Sequence, residues 1–279
     1  MTTDNKALVL EKVLLMHYSI DVKLNDIFKC TASSFSNAST LFKRIFTPLQ
    51  THCSNTTKIT APHGTSTINL SSVTESIITI AEKLQVHDVI EQRLKHIRQI
   101  NTEIIKEIIA VKKSGGSHTN GSHIKLIADI NAAQLTCVEN QYSVYCVKLD
   151  SALSTITNYL SDWEHLTSIL RNNEQPEATF LIDQNSDIRQ KINTAIAIFQ
   201  TDMSYRKAFT NTINELNKSL TIISSLIKVA DKINASNSML TLLHNLYTTQ
   251  REREIFNSLV YPGTKNNLSP HKHPDVDIF

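Results

Sequence analysis

The sequence predicts an all-α protein: an elongated antiparallel helical bundle of the four-helix type, built from long helical hairpins. Three observations carry this. Gly is 5 and Pro is 6 among 279 residues, so turns are few and elements long. Apolar residues recur at steps of three and four over stretches of about forty positions, the period of helices packed lengthwise. A polar turn with Gly115, Gly116 and Gly121 separates two such stretches, as a helical hairpin requires.

Taken in order, residues 6–29 read as a first helix, with Leu8, Leu10, Val13, Leu14 and Ile20 on its apolar side. Residues 34–52 read as a second, shorter helix, and 54–67, with Pro62 and Gly64 amid Ser and Thr, as a loop. A long helix follows over 72–113, its stripe running Ile77, Ile80, Leu84, Ile90, Leu94, Ile97, Ile104, Ile108 and Val111. Glu75 suits its N-terminal dipole, and Lys112 and Lys113 suit its C-terminus. After the turn at 114–122 the next helix reaches residue 171, with Leu149, Ala152, Ile156, Tyr159, Trp163, Leu166 and Leu170 in unbroken register.

Residues 172–184, containing Pro176, are expected to break the chain. A third long helix is expected over 187–233, on Phe209, Ile213, Leu216, Leu220, Ile223, Ile227 and Ala230. A single final helix over 236–259 would carry Leu240, Leu243, Leu246, Ile255 and Leu259. Each of the three long helices would be about 60 Å in length. The bundle would thus occupy residues 1–260, completed by the shorter N-terminal helices or by a second copy in a homodimer. From 261 to 279 the helical period is lost, giving a flexible tether that ends on Asp275-Val276-Asp277-Ile278-Phe279. An acidic-hydrophobic tip on a tether has the form of a docking peptide.

Composition excludes several classes. Lys plus Arg is 28 against 26 for Asp plus Glu, and the basic residues are dispersed, so no field points to nucleic acid. No window approaches the ~20 apolar residues of a membrane span. The N-terminus is interrupted by charge too early for a secretory leader. Cys30, Cys53, Cys137 and Cys146 form no C-x-x-C pair, and reduced thiols fit a cytoplasmic protein. His118, His123, His271 and His273 lie at turns and in the tail without metal-ligand spacing, so no metal site is expected.

One stretch carries candidate chemistry: Leu84-Gln85-Val86-His87-Asp88-Val89-Ile90-Glu91-Gln92-Arg93-Leu94-Lys95-His96-Ile97. Asp88 and Gln92 are four apart, which stacks an acid and an amide on one helical face. With Ile90, Leu94 and Ile97 turned to the core, the pair is expected to face outward toward a partner, beside Gln85 and Gln99. That placement argues against a concave small-molecule site.

The stretch resembles the active helix of CheZ-type chemotaxis phosphatases, which carry an Asp-x-x-x-Gln pair on a long helix of a hairpin in a four-helix bundle. Asp88 and Gln92 match the pair, while Arg93, Leu94, His96 and Ile97 match its continuation. The tail from Asp275 to Phe279 is similar to the family's response-regulator docking peptide. The likeness covers these fourteen residues and the tail, and Glu91 departs from it by adding negative charge beside the pair.

The resemblance implies a protein phosphatase, a hydrolase of two-component signalling in chemotaxis. It would accelerate hydrolysis of the phospho-aspartate of a CheY-like response regulator. Gln92 would orient the attacking water and Asp88 would bind the receiver's active-site lysine. Asp275, Val276, Asp277, Ile278 and Phe279 would tether the regulator and raise its effective concentration. The chain would need no cofactor of its own, the Mg²⁺ belonging to the partner receiver. Two other classes stay open: a non-catalytic helical adaptor or scaffold, and a subunit of a helical pore-forming toxin. The polar turn at 114–122 disfavours the toxin.

Overall fold

The structure is a computed structural model that describes residues 8–29, 36, 40, 70–113, 121–172, 177–227 and 237–262. All regular structure among the described residues is α-helical. The elements are α1 (residues 8–29), α2 (Leu70–Lys113), α3 (Gly121–Asn172), α4 (Glu177–Leu226), α5 (Asn237–Leu246) and α6 (Gln250–Val260). The expected helix over 34–52, the loop over 54–67 and the tail beyond Pro262 lie outside the described residues, apart from the helical Ser36 and Thr40.

Two expected helix boundaries need correction. Helix α4 begins at Glu177, ten residues before the expected start at 187. Pro176, read as a breaker, directly precedes the helix in sequence and lies outside the described residues. The expected final helix is two helices, interrupted at Tyr247–Thr249. There Thr249 caps α6 through a capping box: its Oγ1 accepts from the Glu252 N–H while the Glu252 carboxylate accepts from the Thr249 N–H at 3.1 Å.

The described helices belong to two compact units. One comprises Met1–Thr31, Asp88–Gln141 and Lys207–Phe279; the other comprises Ala32–His87 and Tyr142–Arg206. In the second unit α2 contributes Val73, Ile77 and Ile80 to the core, and α3 contributes Leu149, Ala152, Ile156, Tyr159 and Trp163, all buried. The three-and-four register of α3 therefore faces inward from Leu149 to Trp163 as the sequence predicts, while the side chains of Leu166 and Leu170 lie outside the described ones.

In the first unit, Ile90, Leu94, Ile97, Ile104 and Ile108 of α2 are buried, as are Phe209, Ile213, Leu216, Leu220 and Ile223 of α4. The inner seam of α1 is Val13, His17, Ile20, Leu24 and Ile27, at steps of four, three, four and three. Leu8, expected on this side, is exposed, while Leu10 and Leu14 are half-buried. The difference has a plain cause: His17 takes a core position, and the seam passes through it.

Helix α1 runs antiparallel to α2, since His17 meets Asn101 while Asp21, further along α1, meets the earlier Arg98. The Nδ1–H of His17 donates to Asn101 Oδ1 at 2.7 Å, and Asn101 Nδ2 donates to the His17 carbonyl at 3.0 Å. Both side chains are fully buried. This pairing fixes the tautomer, leaving Nε2 as a buried lone pair with no hydrogen bond. Asn131 of α3, also fully buried, has neither amide atom bonded. Arg93 pairs with Cys137 and Gln141, so stepping eight residues to Asn101 along α2 and eight back along antiparallel α3 reaches Asn131. His17 and Asn101 are thus a buried polar pair, and Asn131 is a further buried amide near the same level of the helices.

Burial lowers the pKa of His17, and the Asn101 bond only partly opposes it. Because the folded value is depressed, the unfolded chain binds the proton more readily, and stability is lost as pH falls through the ordinary value of 6.5 toward the folded one. Thermal melts recorded from neutral to mildly acidic pH are expected to show this fall, and His17→Gln is expected to flatten it. An equally steep fall in the variant would place the acid sensitivity elsewhere.

Candidate functional site

The candidate pair lies where α2 enters the first unit. Asp88 is exposed, as expected, on a face turned away from the buried Ile90, Leu94 and Ile97. Gln85 and Gln99 are exposed too. Gln92 differs from expectation: it is half-buried, and its Nε2 donates to Thr248 Oγ1 at 2.8 Å. The break between α5 and α6 therefore lies against this turn of α2 and holds the amide in place.

The Asp88 carboxyl sits above the usual carboxylate range. Partial burial against the helix is the largest cause, the negative charge of Glu91 adds to it, and Lys95 pulls the other way. Lys95 binds Glu91 at 2.7 Å and stands 5.3 Å over the Phe28 ring, a cation–π position. Much of the extra charge that Glu91 brings beside the pair is thus met by its own lysine.

On the same turn, the ligand atoms of His87, Asp88 and Glu91 lie within 4.8 Å of one another. Sequence reasoning looked to the turn and tail histidines and missed this grouping. The signal was there as His87 and Glu91, four apart on one helix.

Sequence reasoning also missed the polar network beneath the pair. Arg93 is fully buried, and its Nη1 donates to Gln141 Oε1 at 2.7 Å and to Cys137 Sγ at 3.0 Å. Its Nη2 donates to Thr249 Oγ1 at 3.3 Å, while Nε has no partner. A guanidinium out of water normally requires a carboxylate beside it; among the described residues Arg93 has only these neutral-type acceptors.

Glu252, one turn into α6, is 1% exposed. Its carboxylate accepts from His96 Nδ1–H at 2.8 Å and from the N–H groups of Thr248 and Thr249 at 3.2 and 3.1 Å. Its carbonyl accepts from Gln134 Nε2 at 3.2 Å. Burial is the largest influence on this carboxyl and would raise its pKa, but the bonds from His96 and Thr249 together outweigh it and hold it below the ordinary value. Tyr247 and Phe256, with ring centroids 5.7 Å apart, close the apolar side. Burial, then the nearby Glu252 charge, pushes the Tyr247 hydroxyl far up, so it stays protonated.

Arg93, His96, Gln134, Cys137, Gln141, Thr249 and Glu252 therefore lock α2, α3 and α6 together directly under Gln92. Asp275 to Phe279, the predicted docking peptide, lie outside the described residues. No protein-family model, no curated protein and no solved structure matches this chain. No helix among the described residues is long and apolar enough to cross a membrane.

Proposed function

We propose that the chain is a CheZ-like phosphatase that presents the outer face of α2 to the phospho-aspartate of a CheY-like response regulator. The observation that carries this reading is the state of Gln92. Its Nε2 is fixed on Thr248, while its Oε1 makes no hydrogen bond among the described residues. A clamped amide with a spare carbonyl can accept from a water and aim it without reorganising, and such positioning is what in-line attack on a phosphoryl group needs.

The raised Asp88 carboxyl suits the second role, because a carboxylate crowded by Glu91 gains from an approaching cation such as the receiver's active-site lysine. The receiver supplies its own Mg²⁺, and the tail from Asp275 to Phe279 holds the regulator nearby. In this reading the helices form an elongated antiparallel bundle in the cytoplasm.

A second reading, a non-catalytic signalling adaptor, is favoured by one feature of the same residue. Thr248 already takes a donor from Gln92, so the amide has less left to offer a water. One assay separates the two: decay of a phosphorylated receiver with and without the full chain. The phosphatase predicts acceleration that Gln92→Ala reduces at least ~tenfold while binding is kept. If wild type and variant both leave the decay unchanged, the adaptor reading stands.

A further inference from the structure

Helix α1 carries a second apolar face opposite its buried seam. Leu8, Leu15 and Val22 recur every seven residues, with Tyr18 between them, and are 52%, 63%, 61% and 46% exposed. The inner seam follows the same alternation through Val13, His17, Ile20, Leu24 and Ile27. A helix patterned on both faces belongs between two neighbours, and solvent covers only one of them here. Ile222 on α4, also exposed, lies one heptad beyond Glu215, which holds Lys23 at 2.6 Å.

We infer that this face pairs with the same face of a second copy of the chain, in antiparallel register. The charges that flank the stripe select the occupant and its direction. With Tyr18 of one copy beside Val22 of the other, Lys12 falls opposite Asp26 of the second copy, twice by symmetry. Leu14 then falls opposite Phe28, and Leu15 opposite Asn25. Lys12 and Asp26 are both exposed, and neither makes an ion pair among the described residues. A parallel pair would instead set Asp21 against Asp26 twice. The antiparallel pair brings only the two Asp21 side chains together, and each already has Arg98 at 3.5 Å. This inference is independent of the phosphatase reading, which concerns the outer face of α2.

The test is sedimentation of the full chain across a wide concentration range, with thermal melts as a folding control. The wild type is expected to dimerise reversibly. Leu15→Glu and Val22→Glu should each raise the dissociation constant at least ~tenfold and leave the melt of the isolated monomer unchanged, because both positions already face water. Lys12→Asp and Asp26→Lys should each weaken the dimer, and the double exchange should restore it, since 12 and 26 are too far apart on one helix to act on each other. A chain that stays monomeric, or a dimer indifferent to Leu15→Glu, overturns the interface. A double exchange that fails to restore overturns the antiparallel register.

Discussion

Replacing Arg93 by Ala is expected to cost about 3–5 kcal/mol of folding stability, measured as a lower denaturant midpoint. Two losses combine. The long side chain vacates a fully buried site, so a cavity opens where α2, α3 and α6 converge. Gln141 Oε1 and Thr249 Oγ1, both half-buried, also lose a donor. Against these stands a gain, because the buried charge and its unbonded Nε disappear. Arg93→Met isolates the balance, keeping most of the volume and removing the charge. It is expected to cost less than half as much as the Ala variant. If Met is as damaging as Ala, the hydrogen bonds outweigh the packing, and the cavity argument is wrong.

Glu252→Ala is expected to cost about 3 kcal/mol, from the loss of a helix cap and of charge-assisted bonds inside the protein. It takes away the acceptor for His96 and for the N–H groups of Thr248 and Thr249 together. Glu252→Gln keeps an acceptor oxygen and should cost about half as much. The charge has its own signature. The folded carboxyl is held below its ordinary value of 4.5, so its contribution is complete above that value and is lost as pH falls through the folded one. The Gln variant should lack this acid limb while keeping the one due to His17. Amide hydrogen exchange across α6 should accelerate in both variants ahead of global unfolding. Unchanged exchange in α6 would mean that the capping box does not govern the helix.

The helical class and the break between α2 and α3 were legible because glycine scarcity and three-four periodicity are properties of the chain itself. Ile90, Leu94 and Ile97 are buried and Asp88 is exposed, as periodicity alone requires. The α5–α6 break was legible in principle: Thr249-Gln250-Arg251-Glu252 is a capping-box pattern, set inside an apolar run that read as one helix. Arg93 and Glu252 were not legible. Each reads as a surface charge, and only partners far along the chain make its burial tolerable. Gln92 was half legible, since spacing places it beside Asp88 but says nothing of Thr248. The outer stripe of α1 blurred the reading of that helix, because apolar residues on both faces leave periodicity no single side to choose.

The lock beneath Gln92 joins residues 156 positions apart, as in the Gln92–Thr248, Arg93–Thr249 and His96–Glu252 bonds. Local pairing of α2 with α3 spans only the few residues between Lys113 and Gly121, whereas α6 must close a loop many times longer. During synthesis the hairpin can therefore form while Thr249 and Glu252 are still unmade, and Arg93 stays hydrated until they arrive. The turn that presents Asp88 and Gln92 is thus completed only by residues made 156 positions later. A ribosome stalled before residue 247 would display the hairpin with its amide unclamped.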